Sequence, residues 1–493
     1  MKNEKTKDLK ESTSKTKEVK TARANFSASL HIVNPDCAGI DMHKEKIWVC
    51  TSSDLRNGSV SNVSTFDTDS RSIRSMVSFL KDSGVKTVAL ESTGVYWMPT
   101  YAALREAGMS PVLINPSDPK RISGRPKTDK GDCIWICRLH HYGLLRGSFI
   151  ADEKTLRMQE LLRAGEYMQK SLSKTIQKMI GSLIKMNIRL DVLLSNVAGT
   201  SGLAVLKAVL EEGVRSPEKL YELLNGQIKA KMPKEKIIDW LDGRFDETSL
   251  FVLQLFYKQY KQQLSDLEAL NAEILRHLEA IPKKEDRAHI PQKPSNYRED
   301  SLHFPMPLRP IFFEIFGTDL TQIPGIGADF LLTFLGTVGT DLSAWPDAKH
   351  FSSWLGLTPV ANVSAGFSKH ASTKKCKNIL TNAFRTSAMA AKRTKTYIGC
   401  GARALSQRID AKKARIAVAR KLSTLVFNCL KFGKKLFIWT EKEYEERTRQ
   451  RKKSKFIKQL VGYFGDKEKY QELVSMIETY RKQLGTSGKE LVV

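Results

Sequence analysis

The sequence contains no apolar run approaching the ~20 residues that cross a bilayer. Its start, MKNEKTKDLKESTSKTKEVK, lacks the apolar core of a signal peptide. Both absences point to a cytoplasmic protein with no membrane partner. Cysteine is sparse and unpatterned: Cys37, Cys50, Cys133, Cys137, Cys376, Cys400 and Cys429 are scattered and odd in number, which suits reduced thiols better than a disulfide framework. Acidic residues are in deficit, 53 Asp+Glu against 80 Lys+Arg, for a net charge of +27. That imbalance argues against an ordinary enzyme of small acidic metabolites and makes a polyanion the expected partner.

What is present is a chain of 493 residues, 41% hydrophobic, enough for two to four domains with cores of their own. Residues 1–35 read as a disordered basic tail, rich in Lys, Ser and Thr. From 36 the runs AGIDMHK, KIWVCTS and SNVSTFDT predict a three-strand meander. A helix over RSIRSMVSFLKDSG, a strand KTVALEST, a helix YWMPTYAALREAG, a strand SPVLINP and a helix from about Lys127 to Tyr142 complete a βββαβαβα order. That order predicts an α/β domain of ribonuclease-H-like type over 36–150. Beyond 150 the sheet signals stop, and 151–281 reads as a helical connector whose long helices at 155–195 and 250–280 have coiled-coil spacing. Proline and charge break the pattern at 282–317, taken as a linker or insertion. A mainly α domain follows over 318–440, then a charged helical tail over 441–493.

Four carboxylates carry the chemistry. Asp41 lies in the first strand, Glu91 ends the fourth, and Asp129 and Asp132 share one face of the last helix at i, i+3 spacing. In a ribonuclease-H-like sheet the first and fourth strands are neighbours and that helix packs across them. Four acids converging there need a divalent cation between them, and oxygen donors favour Mg²⁺. Two such ions can activate an attacking oxygen and stabilise a leaving one in phosphoryl transfer. Taken singly, each acid could equally be a solvated surface residue.

Three features of the second half point to nucleic acid. IPGIG, Ile323 to Gly327, reads as a glycine turn opening a helix, either a structural turn or a phosphate-binding end. The stretch WLGLTPVANVSAGFSKHASTKKCKNIL, with no apolar period, reads as a loop between helices. From Lys369 to Lys455 there are 25 Lys+Arg against 5 Asp+Glu, a surplus of 20 that accounts for most of the net charge. Its clusters, including Lys374, Lys375, Lys377, Lys412, Lys413, Arg415, Arg420 and Lys421, are candidates to bind a phosphate backbone. The helical series Cys133, Cys137, His140 and His141 superficially suits zinc, but its apolar neighbours Ile134, Trp135 and Ile136 read as core.

GIDMHK, ALESTGVYW, LINPSDPKRISGRPKTDKGD, IPGIG, WLGLTPV and KKARIAVARKL together resemble the DEDD-type transposases of bacterial insertion sequences, described as bridge-RNA-guided recombinases with a RuvC-like domain. The likeness covers about 36–145 and 318–435. It implies a DNA transposase that cuts and rejoins target and donor DNA, with a structured guide RNA and a dimer or tetramer as partners, in a bacterial, nucleoid-associated setting. It also implies that Asp41, Glu91, Asp129 and Asp132 are catalytic metal ligands. A serine resembling the family's nucleophile falls on Ser364, after Pro359 and before Ala365 and Gly366. Val363 stands where the family has a second serine, so Ser368 is the alternative. Rival readings are a metal-dependent structure-specific nuclease akin to Holliday-junction resolvases, which needs no Ser364, and a non-catalytic nucleic-acid-binding protein on a degenerate scaffold.

Overall fold

The computed structural model describes residues 31–56, 63–92, 94–116, 128–284, 289–294, 307–364, 367–373, 378–433, 439–464, 468–469 and 471–476. The tail 1–30 and Lys374, Lys375 and Lys377 lie outside them. The chain divides into two compact units, Met1–Ile150 and Ala151–Val493.

The first unit is a five-stranded sheet: β1 (Cys37–Met42), β2 (Lys46–Thr51), β3 (Ser64–Asp67), β4 (Thr87–Glu91) and β5 (Ser110–Ile114). The spatial order is β3-β2-β1-β4-β5. β1 pairs antiparallel with β2 and β2 with β3, whereas β1–β4 and β4–β5 are parallel. Its helices are α1 (Ser52–Arg56), α2 (Ser70–Asp82), α3 (Trp97–Glu106) and α4 (Asp129–His141). The predicted βββαβαβα order is present, with the short α1 as an addition.

Strand alternation sorts β1 between two layers. Ala38, Ile40 and Met42 join Val88 and Leu90 in a core that also takes Ile73, Met76 and Leu80 of α2. Those three helix positions recur at helical spacing behind Asp69, which caps α2 by accepting from the N–H groups of Arg71 and Ser72. Each such burial contributes roughly 1.5–3 kcal/mol. Cys37, together with Cys50, belongs to the opposite layer, packed with Cys133 and Cys137 of α4. Gly39 and Asp41 share the parity of Cys37.

The second unit begins with two 33-residue helices, α5 (Glu153–Lys185) and, after five short helices, α11 (Glu247–Glu279). The short ones are α6 (Leu190–Leu193), α7 (Thr200–Leu210), α8 (Pro217–Glu222), α9 (Gly226–Lys229) and α10 (Lys234–Leu241), sharing one core with the adjoining ends of the long pair. The long pair runs antiparallel. Gln263 Nε2 donates to Ser171 Oγ at 2.9 Å, and Lys178 Nζ lies 5.2 Å from the Phe256 ring centre.

The rest comprises α12 (Arg309–Phe316), α13 (Ala328–Val338), α14 (Ala348–Trp354), the strands β6 (Pro359–Ser364) and β7 (Phe367–Thr373), α15 (Ile379–Lys392), α16 (Tyr397–Arg408), α17 (Ala411–Phe432) and α18 (Glu441–Phe464). Aromatic rings fill its centre: Phe351 stacks on Phe427 with centroids 5.3 Å apart, and Phe330 meets Phe384 edge-on at 4.8 Å.

Two expectations are corrected here. Residues 309–316, assigned from sequence to the linker, form α12, which buries Phe312, Phe313, Ile315 and Phe316. Arg309 at its start is also buried and donates to Asp319 Oδ2 at 2.6 Å and to the Pro291 carbonyl at 2.6 Å. Pro310 sits at the first turn, where a missing N–H is harmless, so proline there starts a helix instead of breaking one. The segment read as a loop contains the antiparallel hairpin β6–β7. Its strands lack apolar alternation, which is why they read as loop.

Candidate metal centre

The site begins with a glycine. A Cβ on Gly39 would lie 2.2 Å from the Cys137 nitrogen and 2.6 Å from the Cys133 carbonyl oxygen. Only the absent side chain lets α4 settle directly on the central strand. That contact brings the first turn of α4, with Asp129 and Asp132, towards the end of β1. Thr128 caps the helix, accepting from the Gly131 N–H at 3.0 Å. Acids in that turn are favoured by the partial positive charge of the helix N-terminus.

Register supplies the next acid. β1 and β4 are parallel with Cys37 opposite Thr87 and Ile40 opposite Leu90, so one step further sets Asp41 beside Glu91. Parallel strands in register present facing residues on the same side. Asp41 and Glu91 are both buried, at 5% and 7% exposure. Asp129 is exposed and Asp132 half-buried one turn along the helix.

His43, not singled out from sequence, closes the group. Its Nε2 lies 3.2 Å from Asp41 Oδ2 and 3.3 Å from Asp129 Oδ1. The donor atoms of Asp41, His43 and Asp129 all fall within 4.8 Å of one another. The signal was available, because a histidine two residues past Asp41 shares its face of the strand. Of the four predicted acids, Asp41 and Asp129 meet directly, and Glu91 adjoins Asp41 by register. Burial pushes the Asp41 carboxyl above its usual value, His43 pulls it down, and the charges of Glu91 and Asp129 push it up again. A carboxylate that is desolvated and crowded by two others is where a divalent cation relieves the most repulsion. The donor set of oxygens with one imidazole fits such an ion.

A second group of comparable closeness among the described residues is Cys400 with Glu441 and Glu445. It differs in charge demand: Glu441 is ion-paired with Arg403, and desolvation pushes the Cys400 thiol up. Under the site, Cys133 and Cys137 are buried thiols, both raised above the ordinary range, Cys137 chiefly by hydrogen bonds with Cys37 and Cys50 and Cys133 by burial. His140 Nε2 contacts Thr87 Oγ1 at 3.0 Å, and burial lowers its pKa to about 4. His141 Nδ1 contacts the Asn34 carbonyl at 2.9 Å. These side chains tie α4 to the sheet.

In the second unit Ser364 is the last residue of β6, paired with Phe367, and Val363 pairs with Ser368. The two serines therefore occupy neighbouring rungs of one ladder. Lys412 and Lys413 are exposed in the first turn of α17, and Arg415 and Arg420 are half-buried. Lys421 is exposed overall, but its ammonium lies 4.4 Å from the centre of the Tyr397 ring, and desolvation there holds its pKa below the usual lysine value. At IPGIG, Gly325 has φ +85°, and a Cβ on it would lie 2.3 Å from the Ser387 carbonyl oxygen of α15. That glycine is required by the turn and by close helix packing.

A β3-β2-β1-β4-β5 sheet with acids at the ends of its two central strands, crossed by a helix bearing two more, is the architecture of the ribonuclease-H-like class. Two family matches fall on these features. The DEDD transposase family of the IS110 type, described as "Transposase", matches residues 38–188. The family described as "Transposase IS116/IS110/IS902 family" matches residues 317–399. No curated protein matches the chain. The family is that of the IS110-type DEDD transposases, and the chain carries both of its transposase domains in order. Among the described residues no helix is long and apolar enough to cross a membrane.

Proposed function

We propose that this DNA transposase cuts and rejoins DNA by serine attack on the backbone, assisted by Mg²⁺ held among Asp41, Glu91, Asp129 and Asp132. The observation that carries the reading is the convergence of Asp41, Glu91 and Asp129 at one end of the central strands, beneath a helix seated by Gly39. Mg²⁺ bound there would supply Lewis-acid activation of an attacking oxygen and charge neutralisation at phosphorus. The buried Asp41 and Glu91 are fixed by the strands. Asp129 and Asp132, on the rim, meet the incoming backbone.

A serine hydroxyl is a weak nucleophile without such activation. In the proposed step the Ser364 oxygen forms a bond to phosphorus as one P–O bond of the strand breaks. The serine proton leaves and the departing sugar oxygen takes one up. One phosphate ester replaces another, so the phosphoserine link can be reversed by a second strand's hydroxyl without an external energy source. Lys374, Lys375, Lys377, Lys412, Lys413, Arg415, Arg420 and Lys421 are assigned to backbone binding, and the family resemblance adds a structured guide RNA and a dimer or tetramer. The test is strand cleavage in Mg²⁺ by Asp41→Ala, Glu91→Ala and Asp132→Ala. Each is expected to lose about a hundredfold or more while keeping its fold and nucleic-acid affinity. Wild-type cleavage by all three would refute the metal assignment.

A further inference from the structure

Where α15, α16 and α17 meet, the facing side chains are small. Ala388, Ala402, Ala414 and Val418 are all buried, and the space they leave opens as a hollow of about 570 Å³. Met389, 49% exposed, also lines it. Apart from Ser406 and Ala411, the remaining lining is cationic. Lys392 and Arg393 come from the end of α15, and Lys412 and Arg415 from the start of α17; among the described residues no carboxylate lines the hollow. Arg403 also lines it, but its guanidinium is engaged by Glu441 and by the carbonyls of Lys392 and Thr394.

The other cations are differently placed. Lys392 and Arg393 are exposed. Arg415 reaches Met389 Sδ at 3.4 Å through Nη1, while its Nε is buried with no hydrogen-bond partner among the described residues. A buried donor left unpaired costs about 1–3 kcal/mol, so this guanidinium is incompletely satisfied where it borders the hollow. The backbone N–H groups at the start of α17 are already taken, those of Lys412 and Lys413 by the Asp410 carboxylate at 2.9 and 3.2 Å, so the positive charge of the rim is that of its side chains.

An apolar floor beneath a ring of positive charge matches a molecule with a flat apolar body and a doubly charged head. The volume lies within the ~300–1,000 Å³ of small-molecule sites and far exceeds what an inorganic phosphate fills. We propose that this hollow takes one nucleotide unit, its base on the alanine floor and its phosphate among Lys392, Arg393, Lys412 and Arg415. The unit is either a free nucleoside 5′-phosphate or a nucleotide turned out of a strand, as bases are when a protein pulls them from the stack. The inference rests on the reading of the second unit as a nucleic-acid surface.

The test is equilibrium dialysis of the full-length protein with adenosine 5′-monophosphate, adenosine and inorganic phosphate as separate probes. The monophosphate is expected to bind at least about tenfold more tightly than either control, since only it engages floor and rim together. Lys392→Gln with Lys412→Gln, two exposed positions that leave the core untouched, should weaken the monophosphate about tenfold or more. Ala402→Leu, which fills the floor, should weaken the monophosphate and leave phosphate unchanged. Equal binding of phosphate and monophosphate, or an unaffected lysine double variant, overturns the proposal. A single-stranded oligonucleotide that displaces the monophosphate, and fails to do so when its sugars are abasic, identifies a strand as the source. Retention of the monophosphate against that strand identifies the free nucleotide. Salt-dependent binding of duplex DNA, measured in parallel, reports separately on the underlying nucleic-acid reading.

Discussion

Between β1 and α4 like charges are forced together, whereas along α17 and α18 like charges are spread out. In the first unit Asp41 and Glu91 are buried side by side, and Asp129 is drawn to the same point. In the second, Lys412 and Lys413 stand exposed at the start of α17, and Arg447, Arg449, Arg451, Lys452, Lys453 and Lys455 are exposed along α18. The contrast matches what each charge would do in the proposed function. Holding an ion requires donor atoms placed to within a fraction of an ångström, and two of the acids sit on strands whose register is set by hydrogen bonding and two on a helix seated against them. Holding a polyanion requires area and sign, so the cations stand at helix surfaces where long side chains adapt. The first arrangement is fragile to one added methyl group; the second is tolerant of single changes and sensitive to salt.

The largest expected effect lies in the second unit and breaks the simple form of this contrast, because one cation there is buried. Arg309 is held by Asp319, and Asp319→Ala would leave a guanidinium uncompensated in the core. We expect a loss of about 4 kcal/mol in chemical denaturation. Burial alone would raise the Asp319 carboxyl, but bonds from Arg309, Thr321 and Gln322 hold it below its ordinary value. A depressed carboxyl contributes stability that is complete above the unfolded value of about 3.9 and is lost as pH falls through the folded one. Denaturation midpoints should therefore drop in that acid window for the wild type, and the part due to this pair should vanish in Asp319→Asn.

Next in size is Gly39→Ala, which drives a Cβ into the backbone of α4. A cost of about 3 kcal/mol, or about 10 °C in the melting of the first unit, is expected, together with lost cleavage. A variant with the wild-type melting temperature would show that α4 is not seated by this glycine. Smaller again is the response of the cationic surface. Replacing Lys412, Lys413, Arg415 and Arg420 together by Gln should flatten the slope of log K against log salt on duplex DNA by about 3 to 4. Lys421→Gln, whose ammonium lies against Tyr397, should change it by less than about one. Smallest is His43→Ala. In metal-free protein its half-exposed imidazole bridges two carboxylates, so its loss should destabilise by about 0.5 kcal/mol, a difference that widens when Mg²⁺ is added because the variant has lost one donor.

The two units also differ in how much of them the sequence discloses. Each strand of the sheet announces itself by apolar runs between turn residues, and the placement of Asp41 and Glu91 follows from parity and strand order alone. Gly39 and His43 were missed because their roles arise from what lands on them, α4 in one case and Asp129 in the other. The hairpin β6–β7 was hidden for a different reason. Its strands carry Asn, Ser, Lys and His where a half-buried strand shows alternation, and the β signal in a single sequence is mostly burial. The helix α12 was obscured by Pro307 and Pro310, which mark a linker in composition and a helix start in structure. The hollow among α15, α16 and α17 is made by alanines, which read in sequence only as good helix formers.

Joint action of the acids of the first unit and a serine on the hairpin of the second is tested most directly by a denaturing gel of labelled DNA stalled after cleavage. A slow-migrating, protease-sensitive protein–DNA band is expected for wild type and for Ser368→Ala. No such band, with nucleic-acid binding retained, is expected for Ser364→Ala and Asp41→Ala. Cleaved DNA without any protein-linked band in the wild type, or Ser364→Ala that cuts as well as wild type, would contradict it and make the protein a hydrolytic nuclease.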